Sequence, residues 1–180
     1  LVFGSVLLDK DVDENARTFL VLRSLKLLQS RSAALSRAAP IDLWPMVAGM
    51  LSVFAPSWQA PGVDAKKVAE HQQRLKTALV RELDGDVPVL AMEVIGSIGN
   101  RASQLGTAVN QWGNRTALLA MGSPATALRG IALGTGHPEG PPEDAAERLK
   151  WIVRNPEARD IAVFSVSEQY SDARRRLTLG

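Results

Sequence analysis

The chain has 180 residues, of which 46% are hydrophobic and 22% charged, a balance that excludes wholesale disorder and suits one globular domain. Its 21 Lys and Arg against 19 Asp and Glu give a net charge of +2, too small to predict a nucleic-acid partner. The absence of cysteine excludes disulfides and thiolate metal sites, and no apolar run approaches the roughly 18 residues of a membrane-spanning helix, so no membrane insertion is predicted.

The first part of the chain predicts one long helix. Residues 1–8 are apolar and favour a strand over the tail of an earlier helix, and the initial Leu leads us to expect a fragment of a longer chain. Asp11, with Glu14 three residues later, is typical of a capping box, and the helix is predicted to continue to about Ala38. Its predicted apolar face consists of Phe19, Leu20, Leu27 and Leu28, broadened by Leu22 and Leu25.

Two further helices are predicted before the middle of the chain. Pro40 should end the first helix, and Asp42 should cap a second one that extends to about Phe54. The proline-rich loop that follows should hold Trp58 against the rest of the molecule. A polar helix then begins at Asp64, and its His71 is interpreted as a solvated surface side chain.

The stretch from Asp86 to Met121 is predicted to form one long central helix on which the other elements pack. Small residues recur along it at helical intervals, including Gly96, Gly99, Gly106 and Gly113. Because Gly costs about 1 kcal/mol relative to Ala in an exposed helix, close packing at these positions is the expected explanation.

The end of the chain predicts short helices. Ser123 and Pro124 mark a helix start, and that helix should end near Gly134. Residues 134–142 are expected to form a flexible internal loop, followed by two or three short helices over 143–153, 156–164 and 167–177. Because the part after the loop is too short to fold alone, residues 1–180 are predicted to be a single domain. The predicted fold is mainly α, with seven or eight helices and with or without a short N-terminal strand.

Two segments together resemble the zinc metallopeptidases that include the CAAX prenyl endopeptidases and the HtpX-like proteases. The first, LVFGSVLLDKDVDENARTFLVLRSLKLL, has the layout of the family's strand, acidic turn and zinc-binding helix. The second, VNQWGNRTALLAMGSPATALRGIAL, is similar to the later helix that supplies the third zinc ligand. In that family two histidines at i and i+4 bind zinc, and a glutamate between them is the general base.

The resemblance implies that the zinc site has been lost. Arg23 falls at the first histidine, Ser24 at the glutamate and Leu27 at the second histidine. On the later helix Asn110 replaces the ligand glutamate, and Asn114 replaces the aspartate one turn on. We therefore predict no metal, no cofactor and no catalytic residue. Arg23 is expected to hydrogen-bond to one of the two asparagines and so to replace the metal as the cross-link between the helices.

Other polar residues are interpreted as structural. His137 should be an exposed turn residue, and no serine lies in a GxSxG turn of the kind that activates a nucleophile. An amide-rich stripe at helical spacing predicts a polar network between helices, although a ligand or peptide site beside it stays open. Its members are Asn100, Arg101, Gln104, Asn110, Asn114 and Arg115.

These observations predict a catalytically inactive metallopeptidase-like module, which acts as a protein-interaction or structural domain of a larger bacterial-type protein or assembly. Its partner is expected to be a protein, either the rest of its own chain or a second copy. One alternative is a hydrolase, a peptidase with a non-standard or metal-free site. The other is a structural subunit whose interface includes a tryptophan, from the set Trp44, Trp58, Trp112 and Trp151. The sequence gives no compartment beyond the default of the cytoplasm.

Overall fold

The structure is a computed structural model that describes residue 7, residues 11–78 and residues 86–177, apart from the side chains at 99 and 100. Over these residues it contains nine α-helices, one 3-10 helix and no strand, so the predicted mainly α class is confirmed. Apart from residue 7, the predicted N-terminal strand lies outside the described residues. No helix in the described ranges is both long enough and apolar enough to cross a membrane. The helices are α1 (Glu14–Gln29), α2 (Pro40–Phe54), α3 (Ala65–Ala78), α4 (Val87–Ile98), the 3-10 helix (Gly99–Gln104), α5 (Leu105–Met121), α6 (Pro124–Gly134), α7 (Ala145–Arg154), α8 (Pro156–Ser165) and α9 (Glu168–Arg176).

The chain forms two compact units. Unit 1 comprises Leu1–Ala33 together with Val109–Gly180, and unit 2 comprises Ala34–Ala108. Unit 1 is therefore assembled from two separate stretches of sequence, whereas unit 2 is continuous. The predicted loop at 134–142 falls inside unit 1, between the end of α6 and the start of α7. The single-domain assignment stays a prediction.

Helices α1, α5, α6 and α8 supply the core of unit 1. Phe19 of α1 is fully buried and packs on α6 at Gly130, where an added Cβ would lie 2.3 Å from the Phe19 ring. Ile131 of α6 and Ile161 of α8 are also almost fully buried. Burial of each such side chain contributes about 1.5–3 kcal/mol to folding. By contrast, Leu25 and Leu28 of α1, predicted for the buried face, are each 47% exposed.

The helix starts in unit 1 are set by side-chain caps. Asp13 accepts a hydrogen bond from the Ala16 amide at 2.8 Å and so caps α1. The caps of α6 to α9 are Ser123, Asp144, Asn155 and Ser167. Each cap satisfies backbone N–H groups that have no partner within the helix. The starts predicted for α6 to α9 are confirmed to within two residues.

Helix α1 differs from the prediction at both ends. Its cap is Asp13 and not Asp11, and it ends at Gln29 instead of continuing to about Ala38. Arg31 adopts a left-handed conformation with φ of 54°, and the Ser32 amide donates to the carbonyl oxygen of Leu27 at 2.9 Å. A helix end with this hydrogen-bond pattern usually has Gly at the left-handed position. Because Arg stands there, the sequence contains no conventional stop signal at this point.

Unit 2 packs α2 against α3, α4 and the 3-10 helix. Its buried side chains include Val47 and Leu51 of α2, and Trp44 and Trp58 pack edge to face with ring centroids 6.0 Å apart. The predicted position of Trp58, against the body of the protein, is confirmed within this unit. The predicted cap at Asp42 is wrong, because α2 already begins at Pro40. Proline is favoured at a first helical position because its missing N–H would have no partner there.

The contact between α2 and α3 is closest at Gly49. A Cβ at this position would lie 2.6 Å from Cβ of His71 and 2.8 Å from the carbonyl oxygen of Val68. His71 is partly buried by this contact and is therefore less exposed than predicted. The close approach of two backbones requires a residue without a side chain, which explains the glycine.

The predicted long central helix is interrupted. Helix α4 ends at Ile98, a 3-10 helix follows over Gly99–Gln104, and α5 begins at Leu105. The described residues therefore form nine α-helices, where seven or eight were predicted. A Gly-Asn pair at the break has poor helix propensity, which favours the tighter 3-10 turns. Gly106 is closely packed, since its Cβ would lie 3.0 Å from the carbonyl oxygen of Leu35. Around Gly96, however, no described atom lies within 4 Å of an added Cβ, so close packing does not explain this glycine.

Candidate functional site

The positions that the resemblance assigns to the lost zinc site lie together in unit 1. Nη2 of Arg23 on α1 donates a hydrogen bond of 2.9 Å to Oδ1 of Asn110 on α5. One turn along α5, an added Cβ on Gly113 would lie 3.3 Å from Cγ of Arg23 and 3.4 Å from Leu27. The predicted hydrogen bond between Arg23 and one of the asparagines is therefore present. That this contact takes the place of a metal stays a prediction.

A carboxylate that the sequence analysis did not identify completes this site. Oε1 of Glu157, in the first turn of α8, lies 3.3 Å from Nη2 of Arg23, and its Oε2 accepts a 2.9 Å hydrogen bond from Nδ2 of Asn114. The Arg23 and Glu157 side chains are 20% and 28% exposed, and Asn114 is fully buried. We call Arg23, Asn110, Asn114 and Glu157 the Arg23 cluster. It joins α1, α5 and α8 through polar side chains.

The Arg23 cluster is balanced in charge but incompletely hydrogen-bonded. One guanidinium faces one carboxylate, and two amides surround them. Nε of Arg23 and Oδ1 of Asn114 are buried, and neither has a hydrogen-bond partner among the described atoms. A buried polar atom without a partner costs about 1–3 kcal/mol. Such atoms are rare in folded proteins, so this polar cluster is costly compared with an apolar core.

The other two positions that the resemblance assigns to the zinc motif offer no polar group to the cluster. The Ser24 hydroxyl donates to the carbonyl oxygen of Leu20 at 2.7 Å, within its own helix. Leu27 is 8% exposed and packs against Gly113. A hydroxyl engaged with the backbone is a poor general base, and a leucine cannot ligate a metal.

The predicted amide-rich stripe is divided: Asn110 and Asn114 belong to the Arg23 cluster, and the guanidinium of Arg115 lies in another contact. Arg115 instead makes two hydrogen bonds to Asp160 of α8, from Nε at 3.0 Å and from Nη2 at 2.5 Å. Its guanidinium also lies 4.8 Å from the centre of the Phe164 ring. The hydrogen bond to Asp160 raises the pKa of Arg115, burial opposes this, and the Asp160 charge adds to the increase. Arg115 therefore stabilises the contact between α5 and α8 as a permanent cation.

The remaining members of the stripe lie in unit 2. Arg101 is exposed and donates to the carbonyl oxygen of Ser97, and Gln104 is exposed. The side chain of Asn100 lies outside the described residues. The helical spacing that suggested a continuous stripe fails here, because the 3-10 segment changes the angle between successive side chains.

The two histidines of the chain belong to different units. His137 is 54% exposed, as predicted for a turn residue, with its Nδ1 3.5 Å from Oε1 of Glu139. His71 belongs to unit 2. Across the described ranges, no group of three His, Cys, Asp or Glu side chains is arranged to hold a metal ion.

No family model, curated protein or solved structure matches this chain. The resemblance to the metallopeptidases stays a prediction from the quoted motifs.

Proposed function

We propose that this chain is a catalytically inactive metallopeptidase-like module that acts by binding another protein. The observation that carries the proposal is the contact of Arg23 with Asn110 and Glu157. The alignment placed Arg23 and Asn110 at two zinc-ligand positions from the sequence alone, 87 residues apart, and their side chains meet at 2.9 Å. This agreement supports a helical framework that is shared with the metallopeptidases.

The chemistry of these side chains supports loss of metal catalysis. The Arg23 guanidinium is a cation without a lone pair for a metal, so it cannot be a ligand and it repels a dication. Asn110 offers a neutral amide where the family has a carboxylate. Leu27 has no atom that can ligate a metal. Of the cluster, Glu157 alone carries a charge that favours a cation, and Arg23 already neutralises it.

An interaction role is supported by Trp112 on α5. Its side chain is half exposed, and the ammonium group of Lys26 lies 4.2 Å from the centre of its ring. Tryptophans of this kind are enriched among the residues that dominate protein interfaces. Trp44 and Trp58 instead pack on each other, and Trp151 packs against the core of unit 1. The structural-subunit alternative would use this same surface, so it differs from the proposal only in the permanence of the complex.

Restoring the zinc motif tests the framework. A variant that combines Arg23→His, Leu27→His and Asn110→Glu rebuilds the three ligands. It also removes the ion pair of Arg23 with Glu157. The matched control places the histidine pair at Val21 and Leu25, at the same i, i+4 spacing on another face of α1, together with Asn110→Glu. We expect the first variant to bind one zinc per chain about a hundredfold more tightly than the control, because only its ligands converge. Equal affinities in two folded proteins would overturn the metallopeptidase framework.

The wild-type protein tests the inactivity. Zinc content by mass spectrometry and hydrolysis of a mixed peptide library should both be at background. Stoichiometric zinc, lost together with peptidase activity on chelation, would overturn the proposal and favour the hydrolase alternative. Peptidase activity that persists after chelation would equally overturn it, in favour of a metal-free hydrolase.

A further inference from the structure

Unit 2 contains a second candidate site, which none of the preceding arguments uses. A pocket of about 360 Å³ lies along α2 and α3. This volume falls in the range of about 300–1,000 Å³ that is typical of small-molecule sites. We call it the α2–α3 pocket, and the side chains that matter below are Leu35, Met46, Met50, His71, Arg74 and Leu75.

The pocket combines a fixed frame with an adaptable lining. The approach of α2 to α3 at Gly49 allows no added atom, which fixes the spacing of the helices beside the pocket. His71 takes part in this contact and also lines the pocket. Met46 and Met50 face it from α2, and methionine side chains are unbranched and polarizable, so they adjust to a flexible apolar ligand. The lining thus favours an alkyl chain over a rigid polar molecule.

One arginine, Arg74, lies on the pocket lining. Arg74 is exposed, and among the described residues it makes no hydrogen bond or ion pair, including none with Glu70 one turn earlier on α3. By contrast Lys67, on the same helix, is paired with Asp42. An apolar pocket with one available guanidinium is complementary to an amphiphile with one negative head group. Arginine also pairs with a carboxylate through two parallel hydrogen bonds.

We propose that the α2–α3 pocket binds an alkyl carboxylate, with the chain against Met46, Met50 and Leu75 and the carboxylate on Arg74. A methylene group occupies about as much space as a water molecule in the liquid, roughly 30 Å³, so the pocket accommodates about eight to twelve carbons. The inference does not depend on the proposed inactivity of unit 1.

A chain-length series measures the apolar part. Calorimetric titration of the full chain with hexanoate, octanoate, decanoate and dodecanoate, each below its micelle concentration, should give saturable binding at one site. Affinity should increase about three- to fourfold for each added methylene until the pocket is full, and then level off. No saturable binding at any length would overturn the proposal.

Two variants on α3 measure the polar part. Arg74→Gln should weaken decanoate about three- to fivefold and leave decanol unchanged, because only the carboxylate uses the guanidinium. Lys76→Gln removes the same charge from an exposed position of the same helix that does not line the pocket, and it should change neither ligand. Equal effects of the two substitutions on decanoate would show that only the general charge of the helix matters, and would overturn the assignment of Arg74.

The four methionines of the chain locate the ligand. Met46 and Met50 line the pocket, whereas Met92 and Met121 do not. With ¹³C-methyl-methionine labelling, decanoate should shift the methyl resonances of Met46 and Met50 and leave the other two in place. Comparable shifts at all four would indicate adsorption to exposed apolar surface and would contradict a specific site, since Met92 is itself 53% exposed.

Discussion

Replacement of Arg23 by Met tests the Arg23 cluster most directly. The methionine keeps an unbranched stem against Gly113, where Cγ of Arg23 lies 3.3 Å from an added Cβ. It removes the 2.9 Å hydrogen bond to Asn110 and the 3.3 Å ion pair with Glu157. The substitution therefore separates the polar role of the side chain from its packing.

The burial of the pair sets the expected magnitude. Exposed ion pairs contribute about 0–1 kcal/mol, and breaking a fully buried pair costs about 3–5 kcal/mol. The Arg23 and Glu157 side chains are 20% and 28% exposed, and Glu157 keeps its hydrogen bond from Asn114. We therefore expect Arg23→Met to lower the free energy of unfolding of unit 1 by about 1.5–3 kcal/mol.

The assay must report on unit 1, because the chain contains two compact units that need not unfold together. A background with Trp44→Phe and Trp58→Phe leaves Trp112 and Trp151, both in unit 1, as the fluorescent probes. Urea unfolding in this background should show a lower midpoint for Arg23→Met with an unchanged slope.

Arg159→Met is the matched control. Arg159 is exposed on α8, two residues from Glu157, and its side chain makes no hydrogen bond or ion pair within the described part of the chain. Its replacement should change stability by less than about 0.5 kcal/mol. A change that small for Arg23→Met would refute the cross-link. In a double-mutant cycle with Glu157→Gln, a coupling energy of about 1–2 kcal/mol should identify the ion pair as the source.

Three further predictions use the same urea assay, with the intrinsic probes of the unit concerned. Asp160→Asn should lower the free energy of unfolding of unit 1 by about 1.5–3 kcal/mol, equally at about pH 7 and about pH 10. The raised pKa of Arg115 keeps its guanidinium charged, so the stability from this pair is lost only as the pH rises through that pKa. A smaller loss at pH 10 would contradict this. Gly49→Ala should destabilise unit 2 by about 1–3 kcal/mol, because the added methyl group meets α3. Gly96→Ala places its methyl group in open space and should stabilise unit 2 by up to about 1 kcal/mol. Effects of the same sign would refute the packing argument. Arg31→Gly should stabilise unit 1 by about 0.5–1 kcal/mol by relieving the left-handed conformation, and a loss of stability would show that the Arg31 side chain contributes more than its backbone costs.

The starts of α6 to α9 were well predicted from the sequence because their signals are local. Each of these helices begins with a side chain that accepts a hydrogen bond from a backbone amide two or three residues later. The four side chains are those of Ser123, Asp144, Asn155 and Ser167. A Ser, Asp or Asn that precedes a run of good helix formers is sufficient evidence for such a start. No knowledge of the tertiary structure is needed.

Helix ends were predicted less well. The closure of α1 uses a non-glycine residue, Arg31, in a left-handed conformation, and the break after Ile98 is a change from α to 3-10 geometry. The first event lacks the Gly or Pro stop signal on which the predictions depended, and at the second Gly99 was interpreted as a site of close packing. Gly96, which suggested close packing, lies in open space among the described atoms.

The candidate site was predicted in part. The positions of Arg23 and Asn110 followed from the resemblance, and their contact is present. Glu157 was not foreseen, because it lies 134 residues from Arg23 and an acidic residue in a first helical turn is explained by the helix dipole alone. The α2–α3 pocket was also missed, since His71 and Arg74 appear in the sequence as ordinary members of a polar surface.

The discontinuous composition of unit 1 determines when it can fold during synthesis. Helix α1 leaves the ribosome early with Phe19 uncovered, but its partner α6 begins about a hundred residues later, at Pro124. Unit 2 is contiguous and is complete before α6 is translated. We therefore expect unit 2 to fold first on the nascent chain, while α1 stays available to chaperones until the C-terminal helices emerge.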